Sequence, residues 1–360
     1  MRELASRALL VLGAMLALAL MLEGVLRQLP VQNGPNAALE HADPDVWFEP
    51  DRDFSYSRGW QLRGSNRLST NGLGFVSAVD YSSEDPRPLV AVIGDSYVQA
   101  LMIPSGQDLA ARLRAQLSPN QRVYAFAASG APLSQYLAFA DLARRRFRPA
   151  ALVVVIVGND FDESLRSVRW EPGFHHFEPG AAGELQLARR PLPSSAFYSA
   201  LRGSALVNYL FRNLEIRSLP QRLRALHGER VRYAGNTRAE AGPQRVAASL
   251  QVIDAFLAQL PEQSGLPPQR IVLVLDSLRR AIYEPERTQE LAGSYFGVMR
   301  GELSERALRA GFAVLDTQDL FFQHYARHGE RFEFPDDGHW NPLAHRLVAN
   351  ALAQRSWPRH

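Results

Sequence analysis

The stretch Leu89-Val90-Ala91-Val92-Ile93-Gly94-Asp95-Ser96 decides how this 360-residue chain is read. Five apolar residues in a row, with Val90, Val92 and Ile93 β-branched, predict a short strand buried on both faces, the pattern of a parallel sheet. Gly94 permits a tight turn, and Tyr97-Val98 reads as the start of a helix. Ser96 is then expected at a helix N-terminus just outside a strand's end, where free backbone donors favour negative charge. Gly-Asp-Ser alone also fits a capping serine in an ordinary strand-to-helix turn.

Four further apolar runs bounded by turn signals have the same character: Val123 to Phe126, Ala151 to Val157, Ile271 to Leu275 and Phe312 to Leu315. Segments of helical period separate them, such as Asp108 to Leu117, with Leu109, Leu113 and Leu117 in phase, and Gln135 to Phe147. Strand-helix alternation predicts an α/β fold with an open parallel sheet covered by helices on both faces and its chemistry at the carboxyl ends of the strands. The rhythm is interrupted from Phe161 to Ala241, which reads as a helical insertion over the site. Within it, Ala196 to Leu214 has helical spacing at Leu201, Leu206, Leu210 and Leu214. The basic tract Arg217, Arg222, Arg224, Arg230 and Arg232 reads as a solvated helix face, with contact to anionic lipid or glycan as the alternative.

Composition narrows the class. All 40 basic residues are arginine, against 37 acidic ones, and they are spread along the chain rather than clustered with aromatics, which argues against a nucleic-acid partner. The absence of cysteine excludes a disulfide framework, a thiol nucleophile and a thiolate metal site. Arg2 and Arg7 precede an apolar run from Ala8 to Leu22 that resumes after Glu23 and ends at Leu26. A run of about 19 residues is long enough to span a bilayer. A cleaved signal, with Ala17-Leu18-Ala19 as a loose cleavage site, competes with an uncleaved anchor, and the continuation to Leu26 favours the anchor with its arginines inside. The expected organisation is an anchor over 1–29, a breaker-rich tether and extension over 30–85, and a catalytic domain over 86–360 exported to the periplasm or another extracytoplasmic space.

A serine becomes a nucleophile only when a base takes its proton, a third group orients the base and donors await the oxyanion. Downstream of Ser96, Ala128-Ser129-Gly130 follows the second predicted strand and Val157-Gly158-Asn159-Asp160 the third. Near the C-terminus stands Phe334-Pro335-Asp336-Asp337-Gly338-His339-Trp340-Asn341-Pro342. Through these blocks the chain resembles the SGNH (GDSL) hydrolase superfamily, whose motifs carry Ser, Gly, Asn and His in that order. The resemblance implies a flavodoxin-like three-layer α/β/α parallel sheet and a serine hydrolase acting on ester bonds without cofactor. It places the nucleophile at Ser96, the base at His339, and the oxyanion hole at the Gly130 N–H and the Asn159 amide. The family's Asp-x-x-His spacing gives Asp336 the task of orienting His339, with Asp337 as the rival carboxylate. Two departures are Tyr97 for the leucine after the serine, and Ala125 where an asparagine often precedes the glycine block.

Ser69-Thr70-Asn71-Gly72-Leu73-Gly74-Phe75 resembles an Asn-x-x-Gly-Phe segment of exported members and reads either as part of the substrate entrance or as a turn. His324 and His328 have i, i+4 spacing but no third ligand, so no metal is expected; His175-His176 need not converge, and His345 reads as a partner on the helix begun at Pro342. The expected reaction is removal of an acyl group, such as acetyl, from a cell-envelope glycan. Acyl transfer to a sugar hydroxyl, a lipase or phospholipase activity, and a non-catalytic scaffold are the alternatives.

Overall fold

The structure is a computed structural model that describes residues 2–38, 45, 47–117, 119–192, 201–216 and 232–357. An apolar helix, α1 (Arg2–Leu26), comes first, followed by an antiparallel hairpin of β1 (Asp53–Arg58) and β2 (Arg63–Ser69). The body then runs β3 (Leu89–Gly94), α2 (Ser96–Gln99), α3 (Leu109–Leu117), β4 (Arg122–Ala127), α4 (Leu133–Phe147) and β5 (Ala151–Ile156). After the insertion come β10 (Ile271–Leu275) and β11 (Ala313–Asp316); the insertion itself holds the hairpins β6 (His175–Pro179) with β7 (Leu185–Arg189) and β8 (Tyr233–Ala234) with β9 (Thr237–Arg238). Near the C-terminus β12 (Glu333–Phe334) pairs antiparallel with β13 (Asp337–Trp340).

The central sheet has the order β11-β10-β5-β3-β4, with every pair parallel. That is the doubly wound flavodoxin-like order, and all five strands lie within a residue or two of the predicted runs. Side chains alternate along each strand, so one sheet supplies two cores. Leu89, Ala91 and Ile93 pack with Leu152, Val154, Phe139, Phe256 and Met299 on one side. Val90 and Val92 pack with Val153, Val155, Leu113, Phe321 and Val348 on the other. The result is the expected three-layer sandwich.

Two expectations change. The insertion is not simply helical: β6 and β7 form a five-pair hairpin, and helix appears at Ala205–Asn208, extended as a π-turn through Asn213. Of the predicted helix from Ala196, residues 196–200 lie outside the described residues, as do Arg217, Arg222, Arg224 and Arg230; Arg232 is exposed and pairs with Glu290.

The segment 30–85, expected as a tether, is built into the body. Asn71 Oδ1 accepts from the N–H groups of Leu73 and Phe75, a turn that drives Phe75 into the core against Phe126, Phe139 and Tyr81. The Tyr81 hydroxyl donates to Ala125 O at 2.6 Å and accepts from Ala125 N at 3.0 Å, closing backbone groups on the outer edge of β4. The Asn-x-x-Gly-Phe segment is therefore a structural turn. Phe75→Ala is expected to lower the unfolding free energy by about 3–5 kcal/mol, as for other buried phenylalanines. Denaturant unfolding of the full chain in detergent measures it, and a loss under about 1 kcal/mol would contradict this packing.

Candidate active site

The turn after β3 carries Asp95 and Ser96. Asp95 is 1% exposed and caps α2, its Oδ1 accepting from Tyr97 N at 2.8 Å while Oδ2 lies 3.1 Å from Ser96 Oγ. Opposite Ser96 stands His339 on β13, whose Nε2 lies 2.8 Å from Ser96 Oγ. The other ring nitrogen, Nδ1, lies 2.5 Å from Asp337 Oδ1. A carboxylate at Nδ1 selects the tautomer with the proton there and leaves a lone pair on Nε2, directed at the serine.

The carboxylate that meets His339 Nδ1 is thus Asp337, where Asp336 was expected. Residues two apart on a strand share a face, so Asp337 and His339 on β13 project together. Asp336 turns outward to Arg58 at 3.3 Å and Arg63 at 3.7 Å, with about half of its side chain exposed. Asp337 is 9% exposed. Its burial acts to raise its pKa, but the hydrogen bond and charge of His339, helped by Arg58, outweigh that and hold the carboxyl below its ordinary range.

β13 is fastened from beneath by a buried polar chain. The Tyr97 hydroxyl donates to Gly338 O at 2.9 Å and accepts from Arg279 at 3.0 Å; Arg279 pairs with Asp276 at 3.2 Å, and Asp276 accepts from the Trp340 indole at 2.8 Å. Both neighbours of His339 are tied to the end of β10 in this way. Trp340 is fully buried, and its ring packs edge-on against Tyr97.

Gly130 has φ +76, a conformation that favours glycine, and its N–H has no hydrogen-bond partner among the described residues. Its loop is tied to the serine helix through Gln99, whose Oε1 accepts from Ser129 N at 2.9 Å and Ser129 Oγ at 2.6 Å. The side-chain amide of Asn159 donates to Glu163 at 3.2 Å, and its oxygen accepts from Asn236, which in turn accepts from Asn159 N at 3.2 Å. Glu163 also pairs with Arg169, and Arg169 donates to Gly130 O at 3.3 Å. Asn236, Glu163 and Arg169, all from the insertion, form a brace that the sequence reading missed; no motif spacing marks them.

Below the serine two buried carboxyls face a shared low-dielectric region. Asp160 is pushed well above its ordinary range, first by burial and then by the charge of Asp95, while accepting from Tyr136 and from Val157 N. Asp95 is pushed up to about 6, chiefly by burial, against the opposing hydrogen bonds and the charge of His339. A carboxyl that holds its proton more tightly when folded contributes stability below about pH 4 and loses it as pH rises through about 6. Relative to Asp95→Asn, the wild-type chain is expected to lose up to about 3 kcal/mol of unfolding free energy between pH 4 and 7. Parallel unfolding curves across that range would contradict the burial of this charge.

Among the described residues no other histidine bonds Ser96 or His339. His345 is 1% exposed, its pKa lowered to about 3 by burial, and it packs edge-on to Trp340. His324 pairs with Glu330, and no metal-binding group of three ligands occurs among the described residues. His175 bonds Gln135, and His176 is buried beside Trp170. Gln99, Ser129, Arg169, Arg58 and Asp336, neighbours of these residues in chain or space, line a cleft of about 1320 Å³.

No family model and no curated protein matches the chain. Solved structures do match. A lipase/acylhydrolase from Enterococcus faecalis aligns at 11% identity over 74% of this chain and 94% of its own, with a TM-score of 0.38. An acetyl xylan esterase aligns at 12% identity over 73% and 97%, with a TM-score of 0.40. A lipase from a goat rumen metagenome aligns at 15% identity over 74% and 97%, also with a TM-score of 0.40.

Proposed function

We propose that the chain is a membrane-anchored serine esterase of the SGNH type that removes acyl groups, acetyl among them, from a cell-envelope glycan. The single observation that carries the reading is the unbroken line Ser96 Oγ, His339 Nε2, His339 Nδ1 and Asp337, with links of 2.8 and 2.5 Å. Ser96 Oγ attacks the ester carbonyl and its proton passes to His339 Nε2. Collapse of the tetrahedral intermediate breaks the bond to the alcohol, which leaves with that proton. Water then attacks the acyl-serine, giving its proton to His339, and the acid departs as the proton returns to Ser96. Gly130 N–H and the Asn159 amide are the donors offered to the oxyanion, the latter after exchanging Glu163 for substrate.

The anchor reading is supported by α1. Within Glu3–Leu26 an 18-residue stretch has a mean hydropathy of 2.4, and leucines such as Leu9 and Leu16 are more than half exposed. A helix of 25 residues rises about 37 Å, enough to cross the hydrocarbon layer. Glu23 near its end accepts from Ser204 Oγ and from Ala205 N and Leu206 N, which supports an anchor that stays with the body rather than a cleaved signal. The arginines before the run favour the active site outside the cytoplasm. A roomy cleft with Trp47, Trp60 and several arginines on its walls suits a saccharide chain better than a lone short ester.

The test uses the full-length chain in detergent. A fluorophosphonate probe should label Ser96, located by peptide mass spectrometry, and acetate should be released from O-acetylated polysaccharide. Labelling of another residue, or none, removes the serine assignment; acetate release confined to lipid extracts would favour the lipase reading, and transfer to a glycan hydroxyl faster than to water the transferase.

A further inference from the structure

We propose that Arg58, on the hairpin that follows the anchor, is a positioning residue of the triad, its guanidinium holding the outer oxygen of Asp337 so that the carboxylate stays aimed at His339. The inference rests on the serine-esterase reading. Arg58 Nη1 lies 2.5 Å from Asp337 Oδ2, while Asp337 Oδ1 lies 2.5 Å from His339 Nδ1. The two oxygens are therefore shared between two partners, and a carboxylate held at both ends cannot rotate away about its Cβ–Cγ bond.

The same guanidinium reaches Asp336 Oδ1 at 3.3 Å through Nη2 and lies 5.6 Å from the Phe334 ring centroid. One planar fork thus binds two adjacent carboxylates, and the side chain is 24% exposed, against 64% for Arg63. A flexible ammonium would hold one of them as a point charge. Since the guanidinium neutralises Asp337, its contribution is orientation more than added negative charge behind the imidazole.

How Arg58 comes to point there is also built in. The register of β1 against β2 breaks between Tyr56 and Arg58, a bulge of the kind that re-aims a side chain. Ser57 at the break is fully buried; its hydroxyl donates to Pro30 O at 2.6 Å, and its carbonyl accepts from Asn213 Nδ2 at 2.9 Å. Pro30 lies just past the end of α1, and Asn213 belongs to the insertion. The aim of Arg58 therefore depends on the juxtamembrane segment and the insertion together.

Steady-state hydrolysis of p-nitrophenyl acetate by the full-length chain in detergent tests this, with wild type, Arg58→Gln, Arg58→Lys, Asp337→Asn and the Arg58→Gln/Asp337→Asn double variant. Arg58→Gln should lower kcat roughly 10–100-fold, the scale of a displacement of about 1 Å in a catalytic group, with KM within about twofold. Arg58→Lys should recover only part of the loss, since an ammonium holds one carboxylate as a point charge, and the double variant should be no slower than Asp337→Asn, because the arginine acts through that carboxylate. The proposal falls if Arg58→Gln retains wild-type kcat, or if it costs the same factor in the Asp337→Asn background, the mark of general loosening. If instead wild type and Ser96→Ala are equally active, the esterase reading has failed and takes this inference with it.

Discussion

Ser96→Ala is expected to lower kcat for a small acetyl ester by about 10⁵–10⁶-fold, the loss seen when the nucleophile of a serine triad is removed. Everything else at the site stays in place, since Ser96 is only partly buried and among the described residues its hydroxyl meets just Asp95 Oδ2 and His339 Nε2. The variant should melt at the temperature of the wild type and still bind the glycan, while the fluorophosphonate adduct disappears. Rate measurements with the purified chain, matched by circular dichroism melting, decide it. A variant that folds and retains more than about a hundredth of the wild-type rate would show that Ser96 does not form the acyl-enzyme.

The second large effect separates two neighbouring aspartates. Asp337→Asn should reduce kcat about 10⁴-fold, because an amide at this position lets the imidazole take the tautomer that protonates Nε2 and blocks its lone pair. Asp336→Asn should change kcat less than about threefold, since exposed ion pairs contribute about 0–1 kcal/mol. The comparison is made with the same ester at the same pH. Equal losses in the two variants, or the reverse order, would contradict the geometry in which Asp337 Oδ1 meets Nδ1 at 2.5 Å while Asp336 faces Arg58 and Arg63.

The parts of the fold that were legible in the sequence are those encoded over short distances. A run such as Ile271 to Leu275 is apolar at every position because both of its faces are covered, and this pattern is visible in five letters. Ser96 and His339 were legible for a related reason: each sits in a local block at the end of an element. The segment 30–85 misled because its prolines and glycines describe local bends. Those bends do not reveal that Phe75 and Tyr81 land on β4 and its neighbours. The brace Asn236–Asn159–Glu163–Arg169 was equally invisible, being assembled from an insertion with no periodic signal.

By itself the sequence determined the five-strand parallel sheet, the apolar N-terminal helix, the serine after β3 and the histidine near the C-terminus. All of these follow from hydrophobic period and local motif, which depend on neighbours in the chain. Only the tertiary structure decided which aspartate meets the histidine. A strand rather than a turn carries Asp337 and His339, so the partner is two residues away on the same face instead of three. Only it brought Arg58 to that carboxylate from a hairpin 279 positions earlier, because the aim of a guanidinium is set by a bulge and by Pro30 and Asn213 packed around it. Contacts of that range leave no mark on the spacing of residues along the chain.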